Sequence, residues 1–499
     1  MHFFIRFVRN YRQSETGEET MSDVDNELTV NDPLSFALPL GITADAARTS
    51  RTRLMLEAPI GPTLAKLAAP NVLAMFVQAA QIIAEAYFAS LLGITALAGL
   101  ALVFPLVMLS QMLSAGAIGG AITASVARAL GGADVGRGAS LTVVAWTIAV
   151  GFAVIMAVLV ALFGTQFFRL LGGGGETVAA AATYALIFFP GGVAIWLCNA
   201  SLGVIRGTGN MQMPAIVLLL VSIISIPLSG GLALGWGPLP ALGMAGLPLG
   251  VVLAFALGGL IAIGYIISGC TGLGFRGAFR RLNFGMFNDI LIVGGLGSIN
   301  PVLTTVTIIM MTGLVGRYGE GALVGYGLGA RLEFLMIPVI FGIGAAMTAM
   351  VGANIGAGRT DRALRIAWTG SLAAAGIVGS IGLLVAVFPD LWLSMFLGPS
   401  NTAALDAGRS YFQFVGPFYA FFGLGLALYF ASQGAGRMIW PVISSLSRLA
   451  IALVGALILT TYINMRVEGI FAAIGCSMLA FGLIIALAIR RSGWRTEKP

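Results

Sequence analysis

Charge is what this sequence has least of. Only 9% of its 499 residues are Asp, Glu, Lys or Arg, against roughly 25% in an average soluble domain. A soluble fold needs a polar surface, and this chain could not cover one. Histidine is nearly missing too. The single His2 sits in a polar tail, which excludes His-based catalysis and His metal sites. The three cysteines, Cys198, Cys270 and Cys476, lie far apart in or beside apolar runs. Such a set is neither a disulfide framework nor a metal site. The net charge of +7 comes without a dense Lys/Arg stripe interleaved with aromatics, so nucleic acid is not an expected partner. The GGGG run at 172–175 precedes no P-loop lysine, so it reads as a loop or hinge rather than a phosphate cradle. An enzyme would need clustered His, Asp or Cys on facing helices, and none is visible.

Apolar residues fill the gap. They reach 58% of the chain, with a mean hydropathy of +0.97 and 69 glycines. The solvent must be lipid, where small residues let helix backbones approach closely. Twelve apolar runs follow one another, near 67–91, 98–127, 139–164, 177–204, 214–235, 243–268, 290–316, 321–352, 366–389, 408–433, 441–463 and 468–489. Each reaches the ~20 residues needed to cross the hydrocarbon core. They are too long and too uniformly apolar for barrel strands. Ahead of them, residues 1–63 read as a polar tail without a secretory h-region. Translation is expected to start at Met21, and Pro59 to Lys66 to lie on the membrane surface. Residues 491–499 form a second tail.

Arginine sets the orientation. Arg128, Arg137, Arg206, Arg276, Arg280, Arg281, Arg359, Arg362, Arg365 and Arg437 follow the even-numbered spans. Only Arg169, Arg317, Arg409 and Arg466 follow the odd ones, offset by nearby acids. By the positive-inside rule both termini are cytoplasmic, in a cell inner membrane.

The chain also repeats itself. TYALIFFPG, with Tyr184 and Pro190, matches SYFQFVGPF, with Tyr411 and Pro417, 227 residues on. GTGNMQMP at 207–214 matches GAGRMIWP at 434–441, and LGG at 130–132 matches IGA at 355–357. The expected fold is all-α and integral to the membrane. Twelve transmembrane helices form two parallel six-helix halves, 64–275 and 276–490, related by a pseudo-twofold axis along the membrane normal.

Ionisable groups inside spans are costly and therefore the first functional candidates. There are four: Glu85 in span 1, Arg331 and Glu333 in span 8, and Arg448 in span 11. Glu85 lies ~18 residues, or ~27 Å, past the start of its run, in the outer half. Asn71, Gln78, Gln81 and Glu85 share one helical face. A buried carboxylate can exchange a proton or hold a cation, so Glu85 is the expected coupling residue. For the three amides, lining a cavity and bonding between helices stay equally open. Arg331 and Glu333, two apart, point to different sides of their helix. Arg448 could snorkel to the cytoplasmic interface. Asn300, Thr304 and Thr307 share a face of span 7, as cavity lining or helix contact. Glu333 and Tyr411 complete the cavity and substrate candidates.

Three blocks carry a resemblance. AAPNVLAMFVQAAQIIAEAYFASLLGITALAGLALVFPLVML, RGTGNMQMP, and ALVGYGLGARLEFLMIPVIFGIGAAMTAMVGANIGAGR are similar to the multidrug and toxic compound extrusion (MATE) transporters, in the family's order. The resemblance covers about residues 64–490. It implies a cation-coupled antiporter that exports amphipathic, organic, cationic compounds by alternating access, as a monomer and without an organic cofactor. It puts Pro70 at the bend of span 1, and Glu85 where the family carries an aspartate. Ser225 and Ser229 stand where many members have Asn and Asp. No span 7 acid exists, and span 10 has only Asp406 near its outer end, so a second-half Na⁺ site loses its ligands. H⁺ is therefore favoured over Na⁺. A proton needs one desolvated carboxylate, whereas Na⁺ takes several oxygen ligands. The alternative is a flippase for a lipid-linked sugar or other lipid. That cavity would need several Arg or Lys for pyrophosphate, and only Arg331 and Arg448 lie within spans.

Overall fold

The computed structural model describes residues 44–274, 278, 282–492 and 494. The expected start at Met21, most of the amino-terminal tail, the loop arginines Arg276, Arg280 and Arg281, and the end of the carboxyl tail lie outside them. Among the described residues every long element is helical. Twelve helices are long and apolar enough to cross a membrane: Ile60–Leu91, Ile94–Gly131, Val135–Leu170, Gly175–Gly207, Gln212–Leu234, Gly243–Ile267, Phe284–Gly316, Glu320–Gly356, Thr360–Val387, Thr402–Ala435, Ile439–Thr461 and Val467–Arg491. These are spans 1 to 12. Hydrocarbon offers no partner for a backbone amide, so each run closes its hydrogen bonds within itself.

Local chemistry sets the ends. Asp134 accepts from the Arg137 amide at 2.9 Å and Asn283 from the Met286 amide at 3.0 Å, starting spans 3 and 7. Gly235 and Gly436 end spans 5 and 10 in the left-handed region, at φ 77° and 73°, where other residues are strained. The repeat prolines behave differently. Pro190 sits inside a continuous α-helix, whereas Pro417 lies in a 3₁₀ turn, Gly416–Phe418, that interrupts span 10.

Two findings differ from the sequence reading. Residues 44–57 of the supposed tail form a helix, Ala44–Glu57, with Met55 fully buried. Pro59 to Lys66 do not form a separate surface segment; Ile60 onward is the first turns of span 1. The hydrophobic run alone hides this, because the added turns contain Lys66 and Thr63.

The packing repeats with the sequence. Spans 1 and 5, 2 and 4, 3 and 4, 4 and 6, and 5 and 6 pack in the first half. Their equivalents 7 and 11, 8 and 10, 9 and 10, 10 and 12, and 11 and 12 pack in the second. Between halves, span 1 meets span 8 and span 2 meets spans 7 and 8. These crossings need missing side chains. A Cβ on Gly131 would lie 2.0 Å from the Ala353 carbonyl oxygen, and one on Gly356 would lie 2.0 Å from that of Arg128. Gly342 is equally closed by Val72 of span 1, at 2.3 Å. Gln433 Nε2 donates to Ala117 O at 2.9 Å, and Arg128 Nη1 to Gly434 O at 3.1 Å. All of these lie toward the face that carries the helix Ala44–Glu57. The first part of span 2, Ile94–Gln111, instead packs chiefly on span 4. The halves thus meet at one face and part toward the other.

Candidate functional site

Glu85 is held six residues from the end of span 1, away from the closed face. Its Oε1 accepts from the Tyr184 hydroxyl at 2.6 Å. Tyr184 belongs to span 4, is 1% exposed, and stacks on Phe188 with ring centroids 5.8 Å apart. That stacking fixes the phenol, so the carboxylate has a donor of set position. One turn beyond Glu85, Phe88 packs edge-on to Trp236, and a Cβ on Gly230 of span 5 would strike it at 2.8 Å. The carboxylate therefore sits in a lobe of packed aromatics and small residues, with one phenolic donor. A lone carboxylate in such a place can take up and release a proton.

The rest of the polar stripe runs from this site toward the closed face. Asn71 lies 14 residues back, roughly 21 Å along the axis. It is fully buried beside the crossing with span 8, its Nδ2 reaching Leu67 O at 3.4 Å while Oδ1 has no partner. Gln81 is buried and Gln78 half-buried between them. Pro70 stays inside the helix. Ser225 and Ser229 are buried and turn their hydroxyls to the backbone, at Ser222 O (3.1 Å) and Leu247 O (3.0 Å).

The second half builds its own carboxylate site, from other helices. Glu333 of span 8 accepts from the hydroxyl of Tyr411 of span 10. Tyr411 is 1% exposed, wedged edge-on between Tyr326 and Phe471. It is therefore the partner of Glu333, not a side chain presented to a substrate. Tyr419 is fully buried beside the same pair. Arg448 does not snorkel. Its guanidinium carbon lies 5.1 Å from the Phe422 ring centre and 5.7 Å from that of Phe481, inside the bundle, where cation–π attraction replaces part of the lost hydration. Arg331 is exposed and makes no ion pair with Glu333. Asn300 donates to Ser445 Oγ of span 11 at 2.8 Å and is buried, which makes it a contact between helices. Thr307 closes on Leu303 O at 2.7 Å, and Thr304 between them is half-buried.

Tyr184 was visible in the sequence only as an anchor of the repeat. Its role follows from where span 4 passes span 1, which no local pattern encodes. Among the described residues no three His, Cys, Asp or Glu side chains come together as a metal site.

The comparisons with known proteins agree with this architecture. The family profile described as MatE matches residues 70–229 and 283–458, once in each half. A probable multidrug resistance protein, YoeA of Bacillus subtilis, is 24% identical over 82% of this chain and 88% of its own. An FAD transporter of Shewanella oneidensis is 23% identical over 86% of this chain and 94% of its own. Among solved structures, a MOP superfamily transporter from Pyrococcus furiosus superposes with a TM-score of 0.82 at 20% identity, covering 90% of this chain and 99% of the other. A matching profile over both six-helix halves, on a bundle of twelve spans, identifies the chain as a member of the MatE family of multidrug and toxic compound extrusion transporters.

Proposed function

We propose that this transporter exports amphipathic organic compounds, cationic ones foremost, in exchange for protons. The observation that carries the reading is the Glu85–Tyr184 contact. It joins a half-buried carboxylate, a single fixed donor, and no second acid among the described neighbours. One site that binds one proton is the least that an antiporter needs. Na⁺ has less to hold it, because Ser225 and Ser229 already donate to backbone carbonyls and the acid of span 7, Asp289, lies in the second turn of its helix and is paired with Arg137.

In this scheme the arginine-rich face, where the halves meet, is cytoplasmic, and the molecule is open to the outside of an inner membrane. Proton uptake at Glu85 weakens cargo binding and favours release outside. Rocking the halves apart at the Gly131 and Gly356 crossing then opens the cytoplasmic side.

A second cargo reading has one observation beside it. The Shewanella relative is an FAD transporter, and Arg331 of span 8 is exposed within the membrane-spanning part, where an anionic cargo could use it. A flippase gains nothing comparable, since Arg448 is occupied by two phenyl rings. Efflux of a cationic dye and of FAD from the same everted vesicles, with the H⁺ and Na⁺ gradients dissipated separately, tests both. Dye efflux that collapses only with the H⁺ gradient supports the main reading. FAD movement without dye movement replaces it.

A further inference from the structure

Where the helix Ala44–Glu57 runs into span 1, three side-chain donors come from the second half. Asn354 Nδ2 donates to Met55 O at 3.1 Å, Arg359 Nη1 to Leu56 O at 3.0 Å, and Arg362 Nη2 to Ala58 O. The last carbonyls of a helix have no partner in their own helix, and here the other half supplies them. On its other side the helix leans on the first half, with Arg48 donating to Gly272 O and Met55 pressed on Gly209. It therefore straddles both halves at the face where they meet.

Beside these bonds lies a cavity of about 580 Å³, lined among others by Leu56, Glu57, Arg359, Arg362 and Arg365. Three guanidinium groups converge on it, and none of them forms an ion pair with a described carboxylate. Each guanidinium has five N–H donors, and Arg359 and Arg362 give one apiece to a carbonyl. The Nε of Arg362 is buried without any partner. Glu57, which lines the same cavity, offsets only part of this charge. Its carboxylate is held by Arg53 Nε at 2.8 Å, a hydrogen bond that keeps the carboxyl below its usual range. Asp361, on the rim, is exposed. The cavity opens where spans 1 and 9 begin.

We propose that this cavity binds a phosphate-bearing anion, of the kind an acidic phospholipid headgroup carries, between Arg359, Arg362 and Arg365. Guanidinium forks match phosphate oxygens in geometry and charge, and the volume is that of a small-ligand site. A phosphate here would bridge the start of span 9 to the Leu56–Ala58 junction, and so fasten the straddling helix to the second half.

The test uses the full chain in neutral detergent, titrated by native mass spectrometry. The probes are dioctanoyl phosphatidylglycerol, dioctanoyl phosphatidylcholine and inorganic phosphate. Arg365→Gln is the first variant, because Arg365 is exposed and makes no described hydrogen bond, so the fold does not depend on it. Arg359→Gln is the second. The acidic lipid should bind about tenfold more tightly than phosphatidylcholine, and each variant should lose about tenfold, the size of one charged hydrogen bond. If inorganic phosphate binds and is lost in Arg365→Gln while the lipid does not compete, the site stands and its source is soluble. Equal binding of the two lipids together with no phosphate binding, or wild-type affinity in both variants, overturns the proposal. No transport is measured, so the outcome is separate from the coupling scheme above.

Discussion

Gly131 and Gly356 stand 225 residues apart and make the same contact from opposite sides. Each packs against a backbone carbonyl of the other half, Gly131 on Ala353 and Gly356 on Arg128, and a Cβ on either would come within 2.0 Å of it. Arg128 and Ala353 are themselves 225 residues apart. This pairing about the pseudo-twofold axis is the tightest crossing between the halves and holds their common face shut.

Gly131→Ala should therefore loosen that face without unfolding either half. A neighbouring probe reports it. Ala127 is fully buried at the same crossing, against Gly352. Alkylation of Ala127→Cys, in a background lacking the native cysteines, should speed up by an order of magnitude or more when Gly131→Ala is added, which is about 1.4 kcal/mol of population shift. An unchanged rate would mean that the crossing does not gate this face.

Tyr184→Phe removes the one donor described on Glu85 and leaves the stacking on Phe188 in place. A hydrogen bond to a charged group contributes ~1.5–3 kcal/mol, so efflux should fall by roughly tenfold or more and its pH profile should move. Loss of expression, or efflux with the wild-type profile, would contradict a coupling role for this pair.

In the second half, Tyr411→Phe and Glu333→Gln touch the two ends of one contact. Each should lower thermal stability, by an amount on the order of 1–3 kcal/mol. The double variant should lose clearly less than the sum, as for any directly coupled pair. Strict additivity in detergent-solubilised protein would show that the two side chains do not act on each other.

The twelve spans and the twofold repeat were legible because a membrane writes them into composition. Span length follows bilayer thickness, and duplication leaves matched anchors such as LGG and IGA, which turn out to be the Gly131 and Gly356 crossing itself. Glu85 was legible for the same reason, as a charge where charge is costly. Their pairing with tyrosines was not. Tyr184 stood out only as a repeat anchor and Tyr411 only as an anchor and cavity candidate, and helix packing alone brings them to carboxylates on spans 1 and 8. These two spans are not equivalent in the repeat, so the symmetry alone would have pointed elsewhere. Arg448 misled for a related reason. Its place near the start of span 11 suggested snorkelling, but Phe422 and Phe481 come from spans 10 and 12. The helix Ala44–Glu57 was read as tail because it is polar. It is held by side-chain bonds to backbone carbonyls together with the single buried side chain of Met55, not by a long apolar face.

Orientation has a direct check as well. Reporter fusions at Arg137 should read cytoplasmic, and one at Glu176 periplasmic. The inverted pattern would turn the molecule over and place Glu85 near the cytoplasm.

The central claim is that Glu85 carries the proton that drives export. Purified protein in Na⁺-free proteoliposomes, loaded with a cationic dye and given an imposed pH gradient, measures it most directly. Wild-type protein should move dye in response to the gradient. Glu85→Gln should insert and fold normally yet lose the response, and Glu85→Asp should keep part of it. Transport that requires Na⁺ and ignores the pH gradient, or a full response from Glu85→Gln at equal protein density, would contradict the account.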